Sequence, residues 1–151
     1  MPGRDLSRDE PALKAILEAA TTIAVFGASP NPSRASNGVM KYLLGRGYTC
    51  IPINPGYETI LGQPCVPRLG ALTQPVDVVD VFRRSEDIPA VADQVLALSW
   101  KPSLVFIQLG IRNDAAAARL MDAGIDVVQD RCLYVEHWRL IGMKSPLPDR
   151  L

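Results

Sequence analysis

The side chains able to do chemistry in this chain of 151 residues stand just after its apolar runs. Gly27, Ala28 and Ser29 follow the run Thr22–Phe26, and Arg34, Ser36, Asn37 and Gly38 come soon after. Gly27 permits a tight turn. Ser29, Ser36 and Asn37 offer hydrogen-bond donors, and a helix opening near Ser36 or Asn37 offers free backbone N–H groups to an anion. Arg34 adds a fixed positive charge, and together these residues could form a diphosphate cradle, the alternative being an ordinary polar βα loop. It is not a GxGxxG fingerprint, because the loop is longer than that motif allows. Arg83 and Arg84 follow Val76–Phe82, where two adjacent cations can hold a phosphate or orient a polar ligand tail. Gln108, near the end of Leu104–Leu109, can present an amide to a ligand, and Gly110, Ile111, Arg112 and Asn113 come next.

Absences narrow the chemistry. Between Ala19 and Tyr57 there is no Asp or Glu, while Arg34, Lys41 and Arg46 are present. A domain binding NAD usually places an acid at the end of its second strand for the ribose hydroxyls. Here that position is near Asn54, followed by Pro55 and Gly56. NAD is disfavoured, and a nucleotide carrying extra phosphate suits the stretch better. Cys50, Cys65 and Cys132 are odd in number and widely spaced, which excludes a disulfide framework and a CxxC metal site. A single histidine, His137, removes every His-pair metal motif and argues against a Ser-His-Asp triad. It reads as structural or surface. Cys132 reads first as a small apolar residue and second as a thiol whose reactivity Arg131 could raise. Asp77 and Asp80 are three apart in a strand, on opposite faces, and form no carboxylate dyad.

The elements that position these groups alternate. Ser7 and Glu10 have capping-box spacing and Pro11 suits a first turn, so a helix is expected over residues 8–20. Thr22–Phe26 reads as a buried parallel strand. A helix with Val39, Met40, Leu43 and Leu44 inward ends at Gly45 and Gly47. Tyr48–Asn54 is a second strand, Pro64–Val66 a short edge strand and Arg68–Leu72 a helical turn. After the strand Val76–Phe82, Ser85 is the expected cap of a helix carrying Ile88, Val91, Ala92, Val95 and Leu98. The strand Leu104–Leu109, a helix capped by Asn113 or Asp114, and the strand Ile125–Gln129 complete the alternation, and residues 141–151 read as a mobile tail.

Such alternation implies right-handed βαβ units: an α/β, doubly wound, mainly parallel sheet of five to six strands with helices on both faces. One domain over residues 1–151, with its core at about 20–140, is the expectation. Apolar residues are 48% and charged residues 21%, a globular ratio. Lys and Arg number 16, and so do Asp and Glu. Zero net charge argues against a general hold on nucleic acid. No apolar run is long enough for a membrane span, and no signal-peptide core is seen, so a cytoplasmic location is expected.

The succession Gly27-Ala28-Ser29, Ile53-Asn54-Pro55-Gly56, Leu61-Gly62, Val78–Arg83, Gln108–Asn113 and Asp130-Arg131-Cys132 resembles the small stand-alone coenzyme-A-binding proteins. These are similar to the nucleotide-binding domain of the succinyl-CoA synthetase alpha subunit. The resemblance covers roughly Thr22 to Leu140. It implies a Rossmann-like fold that binds coenzyme A or an acyl-CoA. By that likeness Gly27, Ala28, Ser29, Arg34, Ser36 and Asn37 contact the nucleotide phosphates, and Asn54 and Pro55 the adenosine side. Val81, Phe82 and Arg83 lie along the cofactor, and Gln108 and Gly110 face the pantetheine arm. The first loop has less glycine than the synthetase pattern. The synthetase's phosphorylated histidine sits on a second domain, and this chain is expected to lack one, so ligase chemistry is not expected to carry over. The expected protein is a CoA-binding module without catalysis of its own. The alternatives are an enzyme acting on a CoA thioester, with Cys132 as nucleophile, and a nucleotide or redox sensor acting through a protein partner. A homodimer remains open.

Overall fold

The structure, a computed structural model, describes residues 1–143. The part of the expected tail from residue 144 onward lies outside the described residues. The strands are β1 (Thr22–Phe26), β2 (Thr49–Ile53), β3 (Thr59–Ile60), β4 (Gln63–Pro64), β5 (Val78–Val81), β6 (Leu104–Gln108) and β7 (Asp126–Arg131). The helices are α1 (Glu10–Ala19), α2 (Ala35–Gly45), α3 (Ile88–Leu96), α4 (Asp114–Asp122) and α5 (Leu133–His137). Five strands form one parallel sheet in the order β2-β1-β5-β6-β7, and β3 and β4 form a small antiparallel pair beside it. This is the doubly wound, Rossmann-like α/β architecture that the alternation implied.

Strand alternation divides the core between two faces. Ala24, Val79, Val81, Val105, Ile107 and Val127 pack with Ile88, Val91 and Val95 of α3 and Ala116, Ala117 and Leu120 of α4. Ile23, Val25, Val78, Phe106 and Val128 pack with Leu13 and Leu17 of α1, Val39, Met40 and Leu43 of α2, and Leu133 of α5. β1 and β5 are neighbours, but α2 leaves β1 for one face and α3 leaves β5's connection for the other. The connections part there, which opens a crevice above the carboxyl ends of the strands.

Several local expectations change. Asp9, not Ser7, caps α1 by accepting the N–H of Ala12 at 3.1 Å. Ser7 is turned to Asp5, whose carboxylate accepts both its N–H and its hydroxyl. Ser85 does not cap α3. It opens a 3-10 turn, Ser85–Asp87, and its Oγ accepts the N–H of Arg112 at 3.1 Å. The last strand starts one residue later than expected and runs on to Arg131. The loop after Pro55 contains β3. The segment before α1 joins the sheet as well: Asp5 bridges Val127, and the backbones of Arg4 and Leu6 bond that of Val127. Gly3 is required there, since a Cβ would lie 2.0 Å from the carbonyl oxygen of Ile125.

Candidate functional site

The crevice contains a cavity of about 480 Å³ at the ends of β1, β5 and β6. Gly27, Ala28 and Ser29 form one wall. Gly27 has φ +84°, and a Cβ on it would stand 2.4 Å from the carbonyl oxygen of Phe82. The β1 turn and the end of β5 therefore close together only through glycine. The loop beyond is held by its own polar groups. Ser29 Oγ accepts the N–H of Asn31, and Asn31 Oδ1 accepts the N–H and hydroxyl of Ser33. Asn37, buried in α2, donates Nδ2 to the Ser29 carbonyl at 3.0 Å. Asn54 donates Nδ2 to the Ala28 carbonyl at 2.8 Å and accepts the N–H of Gly56 at 2.8 Å.

Arg34, Ala35 and Ser36 bring the start of α2 to the cavity. Arg34 stands at the N-cap position, where no side chain caps the helix, and the first turn holds no acid. Ala35 and Ser36 thus bring the first N–H groups of α2 to the crevice with the positive end of the helix dipole behind them, while the N–H of Asn37 is taken by the Arg34 carbonyl. Phe82, Arg83 and Arg84 line the side below β5, and Gln108, Leu109 and Ile111 the side at β6. Arg34, Arg83 and Arg84 are the charged lining residues, and no carboxylate joins them. Asp87 stands 3.9 Å from Arg83 and 3.1 Å from Arg84, and Glu86 lies 3.2 Å from Arg84. Arg34 makes no ion pair among the described residues. The arrangement can hold a polyanion without meeting a negative side chain in the lining.

Of the residues expected at the site, Gly27, Ala28, Ser29, Arg34, Ser36, Asn54, Phe82, Arg83 and Gln108 line this cavity. Asn37 and Pro55 stand outside the lining, the first bonded to the loop backbone and the second exposed in its turn. Val81 is buried on the opposite face, against α3 and α4. Gly110, at φ +84°, gives its N–H to Asp130 Oδ1 at 2.7 Å. Tyr57, Leu109, Ala35 and Ile111 are lining residues that sequence reasoning missed. Tyr57 and Leu109 are large apolar side chains left 51% and 62% exposed. Their signal was an aromatic and a leucine immediately beyond a turn and a strand.

The other reactive groups lie elsewhere. Cys132 is half-buried at the N-cap of α5, outside the cavity lining. Cys50 is core, and burial pushes its thiol up to about 12. His137 is buried, its Nδ1 2.7 Å from the Tyr42 hydroxyl, and burial with the nearby Arg46 charge lowers its pKa to about 4. Among the described residues no group of His, Cys, Asp or Glu could hold a metal ion, and no helix is long and apolar enough to cross a membrane.

The family model of the CoA binding domain matches residues 21–138. The uncharacterized protein YneT of Bacillus subtilis is 38% identical over 125 residues, covering 83% of this chain and 91% of that protein. The ADP-forming acetate–CoA ligase I of Archaeoglobus fulgidus is 27% identical over 119 residues, 74% of this chain but 17% of the ligase. The structure of cell-free ID.343 from Thermus thermophilus superposes with a TM-score of 0.83 at 43% identity, covering 87% of this chain and 98% of that one.

Proposed function

This chain belongs to the CoA-binding domain family, and from that premise we propose that it binds coenzyme A or an acyl-CoA in the crevice, as a module that senses, carries or presents the cofactor. The observation that carries the reading is the lining itself: three arginines and the uncapped start of α2, with no carboxylate among them. The diphosphate belongs at Arg34 and the leading N–H groups of α2, where donors and dipole converge. The adenosine side belongs near Asn54, with the exposed Tyr57 ring as a stacking surface. The pantetheine arm runs past Phe82 and Arg83 toward Gln108.

Absence of catalysis is part of the proposal. Ser29, Ser36 and Tyr57 carry the hydroxyls in the lining, and neither histidine nor carboxylate lines it with them to take a proton. Cys132, the nucleophile that an acyl-CoA enzyme would need, stands outside the cavity. Isothermal titration with CoA, an acyl-CoA, NADH, NADPH and ATP tests the reading. Saturable binding of CoA or its thioester is expected. Binding of a nicotinamide nucleotide with none of CoA overturns it.

A further inference from the structure

Two buried polar side chains on one face of the sheet leave oxygens without partners: Asp80 through both carboxyl oxygens, and Gln108 through Oε1. Asp80 is 0% exposed in β5, and Gln108 is 7% exposed in β6, where it also lines the cavity. The parallel register sets Asp80 against Phe106. Gln108 is two residues beyond Phe106, so strand alternation sends it and Asp80 to the same face, the one marked by Val78 and Phe106. One strand spacing and two residues of rise separate them, about 8 Å between Cβ atoms, a gap that an aspartyl and a glutaminyl side chain span with one hydrogen bond. Cys50 lies on that face too, and its thiol carries no charge to balance a carboxylate.

An ionised carboxylate at such a place would be buried without cation or donor, which is costly. As a neutral acid Asp80 has one O–H to give. Burial holds its carboxyl well above the usual carboxylate range, in keeping with that state. Gln108 Oε1 lacks the one donor that Asp80 offers. We propose that Asp80 is a positioning residue: it keeps its proton, donates the O–H to Gln108 Oε1, and so turns the Gln108 NH2 into the crevice as a donor to a carbonyl of the ligand. The inference rests on the CoA-binding reading, because the pantetheine amides and an acyl thioester supply carbonyl acceptors of this kind. It adds a selection rule to that reading. A ligand presenting an N–H at this point meets a second donor and is refused.

The test pairs Asp80→Asn, Asp80→Val, Gln108→Leu and the double variant Asp80→Val/Gln108→Leu in CoA titrations, with urea unfolding and infrared spectra of each. Asp80→Asn keeps a donor and should bind CoA within about twofold of the parent, while Asp80→Val should lose about fivefold, the worth of one neutral hydrogen bond. Asp80→Val should lower the urea midpoint, because it strands the buried Gln108 Oε1 without its donor, and the double variant should regain part of that loss. In the double variant the Asp80 effect should vanish, because its target amide is gone. The carbonyl stretch of a protonated carboxyl should be present at neutral pH, absent in Asp80→Asn and shifted in Gln108→Leu. Parent-like binding by Asp80→Val, additive losses in the double variant, or no protonated-carboxyl band overturns the inference. If the parent itself binds no CoA, the functional reading fails, and the band and its shift in Gln108→Leu still decide the Asp80–Gln108 bond.

Discussion

Gly27 joins a backbone requirement to a packing requirement. Its φ of +84° is left-handed, and the Phe82 carbonyl oxygen occupies the space a Cβ would take. Gly27→Ala should cost about 1–3 kcal/mol for the backbone conformation alone, with more from the close approach, read as a lowered urea midpoint. His137 belongs to the same scale. Its folded pKa of about 4 lies below the ordinary 6.5 because burial, then the Arg46 charge, disfavours the imidazolium. The unfolded chain therefore binds the proton first, and this group's contribution is complete above about pH 6.5 and lost as pH falls toward 4. Asp80 has the opposite sign: its raised folded pKa favours folding at low pH and loses that benefit as pH rises. In an Asp80→Asn background the histidine should dominate between pH 7 and 5, because Asp5, Asp77 and Asp126, whose folded pKa values are lowered, lose their contributions only nearer pH 4. The unfolding free energy should fall by about 2 kcal/mol between pH 7 and 5, as measured by urea titration across that range.

At the scale of elements, the loop after β1 is held to its neighbours by side-chain amides as well as by the buried Ala28. Asn54 ties the β2 turn to the β1 turn by one hydrogen bond to the Ala28 carbonyl and is fixed in its own turn by the N–H of Gly56, and Asn37 ties the β1 loop to α2. Asn54→Ala should cost about 1–2 kcal/mol and weaken CoA binding, with unfolding and calorimetry as the two measurements. The main elements were legible in the sequence because period and punctuation agreed: TIAVF ended by Gly27, LVFIQL ended near Gly110, and an amphipathic α3. The caps were harder. Ser7 and Ser85 are residues that cap well in isolation, yet Ser7 is taken by a competing local bond to Asp5, two residues before it, and Ser85 meets Arg112, a contact made only once the chain has folded. At the site, residues immediately after β1 and β5 were readable from position alone. Tyr57 was not, because only the turn from β2 brings it over the crevice. Asn37 was read as a ligand donor, but its amide is engaged by the Ser29 carbonyl at a distance no spacing rule reveals.

Over the whole molecule the charges cancel, with 16 basic and 16 acidic residues, yet the crevice lining is basic. Attraction for a polyanion is then local and open to screening. CoA affinity should fall as salt is raised. Arg83→Ala, at a half-exposed side chain, should weaken binding by about tenfold and flatten that salt dependence while leaving the urea midpoint unchanged. Calorimetry at two ionic strengths reads both effects. The two margins of the parallel sheet carry a further consequence. Beside β7, the backbones of Arg4 and Leu6 occupy the hydrogen-bonding groups of Val127. Beside β2, Val66 takes the N–H of Asn54 and gives its own to Pro52. Each flank is thus fenced by the chain's own backbone, so lateral recruitment of a foreign strand, the usual hazard of an open sheet, is obstructed on both sides.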